Sequence, residues 1–261
     1  MIRAKQLTFS YQSQPVFDDL SFTLEDFTSL AILGLNGEGK TTLIKCLLGL
    51  KQAQKGTVLL REEDILSMTP AKRARSFSYV PQENDDSLSI SVSDFICMGQ
   101  ILSRSIFTGP KERERKQAEE ILSSLSCKNL ISKNMNELSS GQKRLVYLAR
   151  VIYQNSEIMV MDEPVSSLDF IKQHEFLSFI TDYVKKEQKR IIMSIHDPVL
   201  AHEYCDTFLF LKDHKLLTLL SKKEENFREE FLSAVTEIYD HKVMAGITGG
   251  KLELTYRNKQ E

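Results

Sequence analysis

Ser29-Leu30-Ala31-Ile32-Leu33-Gly34-Leu35-Asn36-Gly37-Glu38-Gly39-Lys40-Thr41-Thr42 is the stretch whose reading decides the fold. Its first five residues form the kind of run shown by a strand covered on both faces. Gly34 to Thr41 then fits G-x-x-x-x-G-K-[ST] at every required position. The motif lies between that strand and a helical pattern of Leu43, Ile44, Leu47 and Leu48. Gly37 and Gly39 let backbone N–H groups turn inward around phosphate oxygens, and a helix starting near Lys40 adds the positive end of its dipole. Gly34, Leu35, Asn36, Gly37, Glu38, Gly39, Lys40 and Thr41 therefore read as a cradle for nucleotide phosphates. Lys40 is expected to reach the β- and γ-phosphates, Thr41 to ligate Mg2+, and Thr42 to contact a phosphate nearer the base. Glu38 occupies a variable position of the loop and reads with no role of its own.

A second cluster follows much later. Ile158-Met159-Val160-Met161-Asp162-Glu163-Pro164 is an apolar strand ending in two acids. In a parallel sheet the carboxyl ends of strands form the ligand crevice, which predicts that these acids face the phosphate loop. Asp162 is suited to hold the metal, directly or through water. Glu163, one residue on, is suited to act as general base on an attacking water.

The 261 residues suffice for one large domain or two modest ones. A hydrophobic share of 41%, a charged share of 27% and a net charge of −2 give no reason to expect nucleic-acid binding. No apolar run approaches the roughly 18–20 residues that span a bilayer. Cys46, Cys97, Cys127 and Cys205 lie far apart with no Cys-x-x-Cys spacing, so scattered reduced thiols are expected. The expected location is cytoplasmic.

Residues 1–33 read as β-rich, with a turn over 10–15. Short strands over 57–60 and 76–80 flank a helix start at Thr69-Pro70. From Gln82 to Gly141 the pattern turns helical, over 91–101 and 113–125, separated by a loop over 103–110. A helical subdomain of about 83–150 therefore reads as inserted into an α/β core. Strand and helix then alternate through 158–161, 170–187, 190–195, 198–204 and 207–211, as in a mainly parallel sheet. In the tail, Asn226 and Glu229 suggest a capping box before the apolar face of Phe227, Phe231, Val235 and Ile238. After Gly246 to Gly250, Leu252 to Tyr256 alternates like an edge strand.

Lys40-Thr41, Leu138-Ser139-Ser140-Gly141-Gln142 and Asp162-Glu163 together closely resemble the ATPase subunit of ATP-binding cassette (ABC) transporters. The likeness spans about residues 1–220, leaving 221–261 as a C-terminal extension. It implies an α/β fold: a P-loop NTPase core with a mainly parallel sheet, an N-terminal antiparallel β-subdomain and the inserted helical subdomain. Smaller motifs stand in the family's order. Tyr11 matches the aromatic that stacks on adenine. Gln82 matches the glutamine that senses magnesium and couples to the membrane partner. Ser166-Ser167-Leu168-Asp169 matches the loop that crosses the dimer interface, and His196 matches the switch histidine near the γ-phosphate. Ser139, Gly141 and Gln142 are then expected to serve a γ-phosphate held by a second copy of the chain, so that two ATP molecules are sandwiched. The resemblance implies a Mg2+-dependent ATPase whose catalytic residues are Glu163, His196 and Lys40, with Thr41, Gln82 and Asp162 at the metal.

Ser91 to Gln100 and the tail are similar to an importer branch that carries iron-siderophore, haem, cobalamin and related metal chelates. The implied partners are integral-membrane permease subunits docking near Gln82 and, indirectly, a substrate-binding protein; the implied site is the inner face of the cell membrane. A soluble ABC ATPase for iron–sulfur assembly, or an importer of another substrate, is the competing expectation. Three departures from the family pattern stand out. Ser140 replaces glycine, Gln100 replaces arginine, and Asp213-His214 replaces Asp-Gly, where a non-glycine must tolerate positive φ or adopt another turn.

Overall fold

The computed structural model describes residues 1–82, 89–103 and 109–257. Most of the loop expected over 103–110 lies outside the described residues. The chain runs through β1 (Ile2–Tyr11), β2 (Gln14–Leu24), β3 (Ser29–Leu33), α1 (Lys40–Leu47), β4 (Lys55–Leu60), β5 (Glu63–Asp64), α2 (Pro70–Ser76), β6 (Phe77–Val80), α3 (Val92–Cys97) and α4 (Glu112–Ser124). It continues through α5 (Ser140–Gln154), β7 (Ile158–Asp162), α6 (Phe170–Lys186), β8 (Arg190–Ser194), α7 (Pro198–Tyr204), β9 (Thr207–Lys212), β10 (Lys215–Ser221), α8 (Phe227–Ile238), β11 (Val243–Thr248) and β12 (Lys251–Tyr256). The fold is α/β, with parallel pairing in its core and an antiparallel sheet at the N-terminus.

The chain divides into two units, Met1–Met68 with Phe170–Glu261, and Thr69–Asp169. In the first, β3 pairs in parallel with β8 on one side and β9 on the other, and all five of its residues are buried. That is what an apolar run covered on both faces requires. Strand β2 alternates and pairs antiparallel with β1, which also pairs with β4. The turn between β1 and β2 is tighter than expected. Tyr11 already pairs with Gln14, because Gln12 adopts a left-handed φ of 54° and closes the hairpin in two residues.

The tail is anchored by aromatics. Phe231 of α8 is fully buried, with ring centroids 4.8 Å from Phe208, 5.5 Å from Phe210 and 5.1 Å from His202. One expectation for the tail needs correction. Asn226 precedes α8 but makes no side-chain cap hydrogen bond, its φ of −92° and ψ of 7° being unlike the extended backbone of a capping residue. The strand expected over Leu252 to Tyr256 is present as β12, and 246–250 before it is the end of a strand and a turn. β11 and β12 form a hairpin with Thr248 opposite Lys251, and Gly249 and Gly250 supply the two positive φ values such a turn needs.

In the second unit β6 pairs in parallel with β7. Thr69 caps α2 by accepting from the Lys72 N–H at 3.3 Å, and Ser91 caps α3 by accepting from Asp94 at 3.1 Å. The helix expected through 101 stops at Cys97 and gives way to a 3-10 turn, with Gln100 at φ −112°. Gly99 is pressed against α5 there, where a Cβ would lie 2.7 Å from the Arg150 carbonyl oxygen. Gln100 donates its amide to the Tyr153 carbonyl at 2.7 Å.

Candidate functional site

Within the first unit the phosphate loop joins β3 to α1, as its sequence context requires. Gly37 and Gly39 sit at φ 92° and 89°, and Gly39 is the N-cap of α1. Only glycine adopts such angles without strain, so the loop's amides can face one centre. Gly34, Leu35, Asn36 and Glu38 complete the curve. Lys40 is buried at 6% exposure, and its ammonium donates to the carbonyls of Gly34 at 2.8 Å and Leu35 at 3.0 Å. The lysine thus braces the loop from inside. Thr41 and Thr42 occupy the first turn of α1. The Thr42 hydroxyl lies 3.4 Å from the Tyr11 hydroxyl, and the Lys51 ammonium stands 4.8 Å from the Tyr11 ring centroid. The Thr42 contact foremost, with Lys51 assisting, draws the Tyr11 phenol below its usual pKa against the opposing effect of burial. Tyr11 itself is 46% exposed at the end of β1. His196 is exposed in the bend between β8 and α7, next to Asp197, which caps α7 by accepting from Val199 at 2.7 Å.

Within the second unit the acid pair ends β7. Asp162 is fully buried, and its charge assists burial in raising the Tyr79 phenol above its ordinary range. Glu163 takes a left-handed φ of 46°. Such a conformation costs a branched-Cβ-free side chain on the order of 1 kcal/mol. The following turn braces it: the Ser166 hydroxyl donates to the Glu163 carbonyl at 3.1 Å. The Gln82 amide donates to the Glu163 carboxylate at 2.9 Å, so two residues singled out for metal and base meet in space.

Ser139 and Gln142 also meet. The Ser139 hydroxyl accepts from the Gln142 N–H at 3.3 Å, and the Gln142 side-chain oxygen accepts from the Ser139 N–H at 3.1 Å, a complete capping box at the start of α5. Ser139 and Ser140 are exposed, and Gly141 lies in the first turn. The helix therefore presents its N-terminus to solvent. The capping bond uses the lone pair of Ser139, not its proton, which suits the hydroxyl to donate outward to an anion.

Arg144 carries a role that sequence reasoning missed. It is 3% exposed, and its guanidinium donates to the carbonyls of Pro81, at 2.7 Å, and Gln82. Burial lowers its pKa, while the charge of Asp162 foremost and of Glu163 more weakly oppose that shift. Helix α5 is thereby tied to the segment that carries Gln82. The signal was a charged residue beside the apolar run Val146-Tyr147-Leu148, on the face of α5 that is buried.

The four cysteines are buried, and burial pushes the Cys46 and Cys127 thiols up to about 11, which leaves them unreactive. Among the described residues no group of three or more His, Cys, Asp or Glu side chains is arranged to hold a metal, and no helix is long and apolar enough to cross a membrane.

A glycine cradle at the start of α1, an acid pair closing a parallel strand and a capped helix N-terminus define an ATPase cassette of the P-loop class. Residues 17–166 match the family model described as ABC transporter. The "Probable iron chelatin transport ATP-binding protein" of Helicobacter pylori is 36% identical over 217 residues, 83% of this chain and 85% of that protein. The hemin import ATP-binding protein HmuV of Pseudomonas aeruginosa is 30% identical over 90% of this chain and 92% of its own length. Among solved structures, a chain from an inward-facing ABC transporter described as of metal-chelate type superposes with a TM-score of 0.81 at 24% identity, covering 99% of this chain and 98% of that one. The chain belongs to the ABC transporter family, as an ATPase.

Proposed function

We propose that this chain is the ATP-binding and hydrolysing subunit of an ABC importer, energising uptake of an iron chelate or related metal chelate through a membrane permease. The observation that carries the reading is the Gln82–Glu163 hydrogen bond. It joins the residue expected to face the permease to the residue expected to activate water. The import names of the relatives from Helicobacter pylori and Pseudomonas aeruginosa support the direction of transport and the class of cargo.

In this reading the amides of Gly37 to Lys40 and the Lys40 ammonium hold the β- and γ-phosphates, while Tyr11 offers its ring to adenine. Thr41, Asp162 and Gln82 fit Mg2+, since a hydroxyl, a carboxylate and an amide carbonyl are the hard oxygen donors it takes together with phosphate oxygens. When bound, Mg2+ neutralises charge on the β- and γ-phosphates. Glu163 accepts the proton of the attacking water, oriented by Gln82, and His196 contacts the γ-phosphate. Ser139 and the Gly141 amide donate to the γ-phosphate held by a second copy of the chain. Hydrolysis removes the group that both copies grip, so the dimer opens and Gln82, tied to α5 through Arg144, moves with it. The chain works on the inner face of the membrane, with a substrate-binding protein delivering cargo to the permease.

The test is uptake of a panel of labelled ferric and haem chelates by cells with and without the gene, with co-purification of the permease. Loss of uptake of one chelate, together with recovery of a polytopic partner, is the expected result. Recovery with soluble partners alone, and unchanged uptake, would overturn the reading.

A further inference from the structure

Two oddities of the sequence turn out to be partners. Glu38 places a carboxylate in a loop whose amides are shaped for phosphate, an electrostatically adverse choice. Asp213-His214 places two side chains where a hairpin turn favours glycine. In the structure both residues are left-handed, at φ 49° and 64°, and they close β9 onto β10 with Lys212 opposite Lys215. The His214 N–H donates to the Glu38 carboxylate at 3.2 Å.

The rest of His214 is equally engaged. Its carbonyl accepts from the Asp18 N–H at 3.2 Å, and its Nδ1 donates to the Val16 carbonyl at 3.2 Å. That second bond uses the imidazole, which explains how histidine is kept at an angle that costs a non-glycine on the order of 1 kcal/mol. Val16 in turn lies against the loop at Gly39. A Cβ on Gly39 would lie 2.5 Å from its Cγ1 methyl. The phosphate loop, strand β2 and the β9–β10 turn thus meet at one histidine.

We propose that Glu38 is a positioning residue for nucleotide binding: its carboxylate, held by the His214 backbone, fastens the phosphate loop to the β9–β10 turn and β2. The inference rests on the reading of this loop as the ATP site. The bond also gives the carboxylate a partner outside the cradle. Without it, a mobile acid beside the loop competes with phosphate for the same amides and lets the loop relax.

The test compares Glu38→Ala, Glu38→Asp and Glu38→Gln in the full chain by two readouts, amide exchange at His214 without nucleotide and the KM for ATP against kcat. Glu38→Ala is expected to speed His214 exchange at least about tenfold and to raise KM about fivefold, with kcat falling far less, the scale of one charge-assisted hydrogen bond. Glu38→Asp, one methylene shorter, is expected to raise KM at least as much, because it keeps the charge and loses the reach. Glu38→Gln, which retains an acceptor oxygen without the charge, is expected to recover about half of both losses. Unchanged exchange and KM in Glu38→Ala, or a Gln variant no better than Ala, would overturn the proposal. A Lys40→Ala control separates the two claims. If it binds ATP normally, the loop is not the nucleotide site. If it loses binding while Glu38→Ala changes nothing, the latch alone is wrong.

Discussion

Gln82 donates its side-chain amide to the carboxylate of Glu163 across 2.9 Å, although the two residues are 81 positions apart in the chain. Glu163 holds a left-handed backbone, and the Arg144 guanidinium grips the carbonyl of Gln82. Glu163 is therefore held by a residue that is itself held from α5. Any movement of the Gln82 segment changes where the Glu163 carboxylate points.

Under the proposed function, replacing Glu163 by Gln keeps the side-chain shape and removes the proton acceptor. Turnover is expected to fall by about 10²–10⁴-fold, the usual worth of a general base, while ATP still binds. With the γ-phosphate retained, the variant is expected to dimerise in Mg-ATP, read by light scattering on a sizing column. A variant that stays monomeric at saturating nucleotide would refute the shared site.

Arg144→Met removes the donors to the Pro81 and Gln82 carbonyls from a nearly buried position. The expected loss is about 1–3 kcal/mol of stability from denaturant melts, since these carbonyls are only partly buried. Because the clamp acts on Gln82, ATPase rate is expected to drop at least about tenfold with little change in nucleotide affinity. Equal rates for Met and wild type would show that the clamp is structural only.

Ser139 caps α5, and under the proposed function it also serves a partner's γ-phosphate; substitution can separate the two. Ser139→Ala loses the cap of α5, worth about 1 kcal/mol, and slows hydrolysis. Ser139→Arg is expected to abolish hydrolysis by filling the space for a partner's γ-phosphate, while fluorescent-nucleotide titration of the monomer stays normal. Full turnover by the arginine variant would mean that each chain works alone.

Phe231 and His202 report on the tail. Phe231→Ala is expected to cost about 3–5 kcal/mol, because a fully buried ring is deleted from an aromatic cluster. Burial, and secondarily the Lys222 charge, depress the His202 pKa below its ordinary 6.5. The unfolded chain then binds the proton more readily, so this contribution is fully present above about pH 6.5 and is lost as pH falls through the lower folded value. Melting curves from pH 8 to 5 are expected to fall less steeply for His202→Leu than for wild type; parallel curves would remove His202 from the account.

Much of the fold was legible because its signals are local. The run Ser29 to Leu33 is buried along its whole length, and Thr69, Ser91 and Ser139 cap the helices that follow them. Caps and turns involve residues within about four positions, so their chemistry is written in short words. Asn226 shows where that reading ends: a capping residue was present, but its backbone took another conformation. The local structure of Gly246 to Gly250 was not legible for a related reason. Glycine marks both breaks and tight turns, and only pairing between β11 and β12 distinguished them.

By itself the sequence determined the strand, glycine loop and helix from Ser29 to Leu47, the acids ending β7, the helix start at α5 and, through them, the family. Each depends on backbone angles and neighbours a few residues away. Tertiary structure alone decided that Gln82 holds Glu163, that Arg144 holds Gln82, and that Glu38 holds His214 across 176 positions of chain. These bonds need strands and helices to be packed in register before a donor finds its acceptor. No periodicity or spacing along a chain encodes a distance of 3 Å between such remote residues.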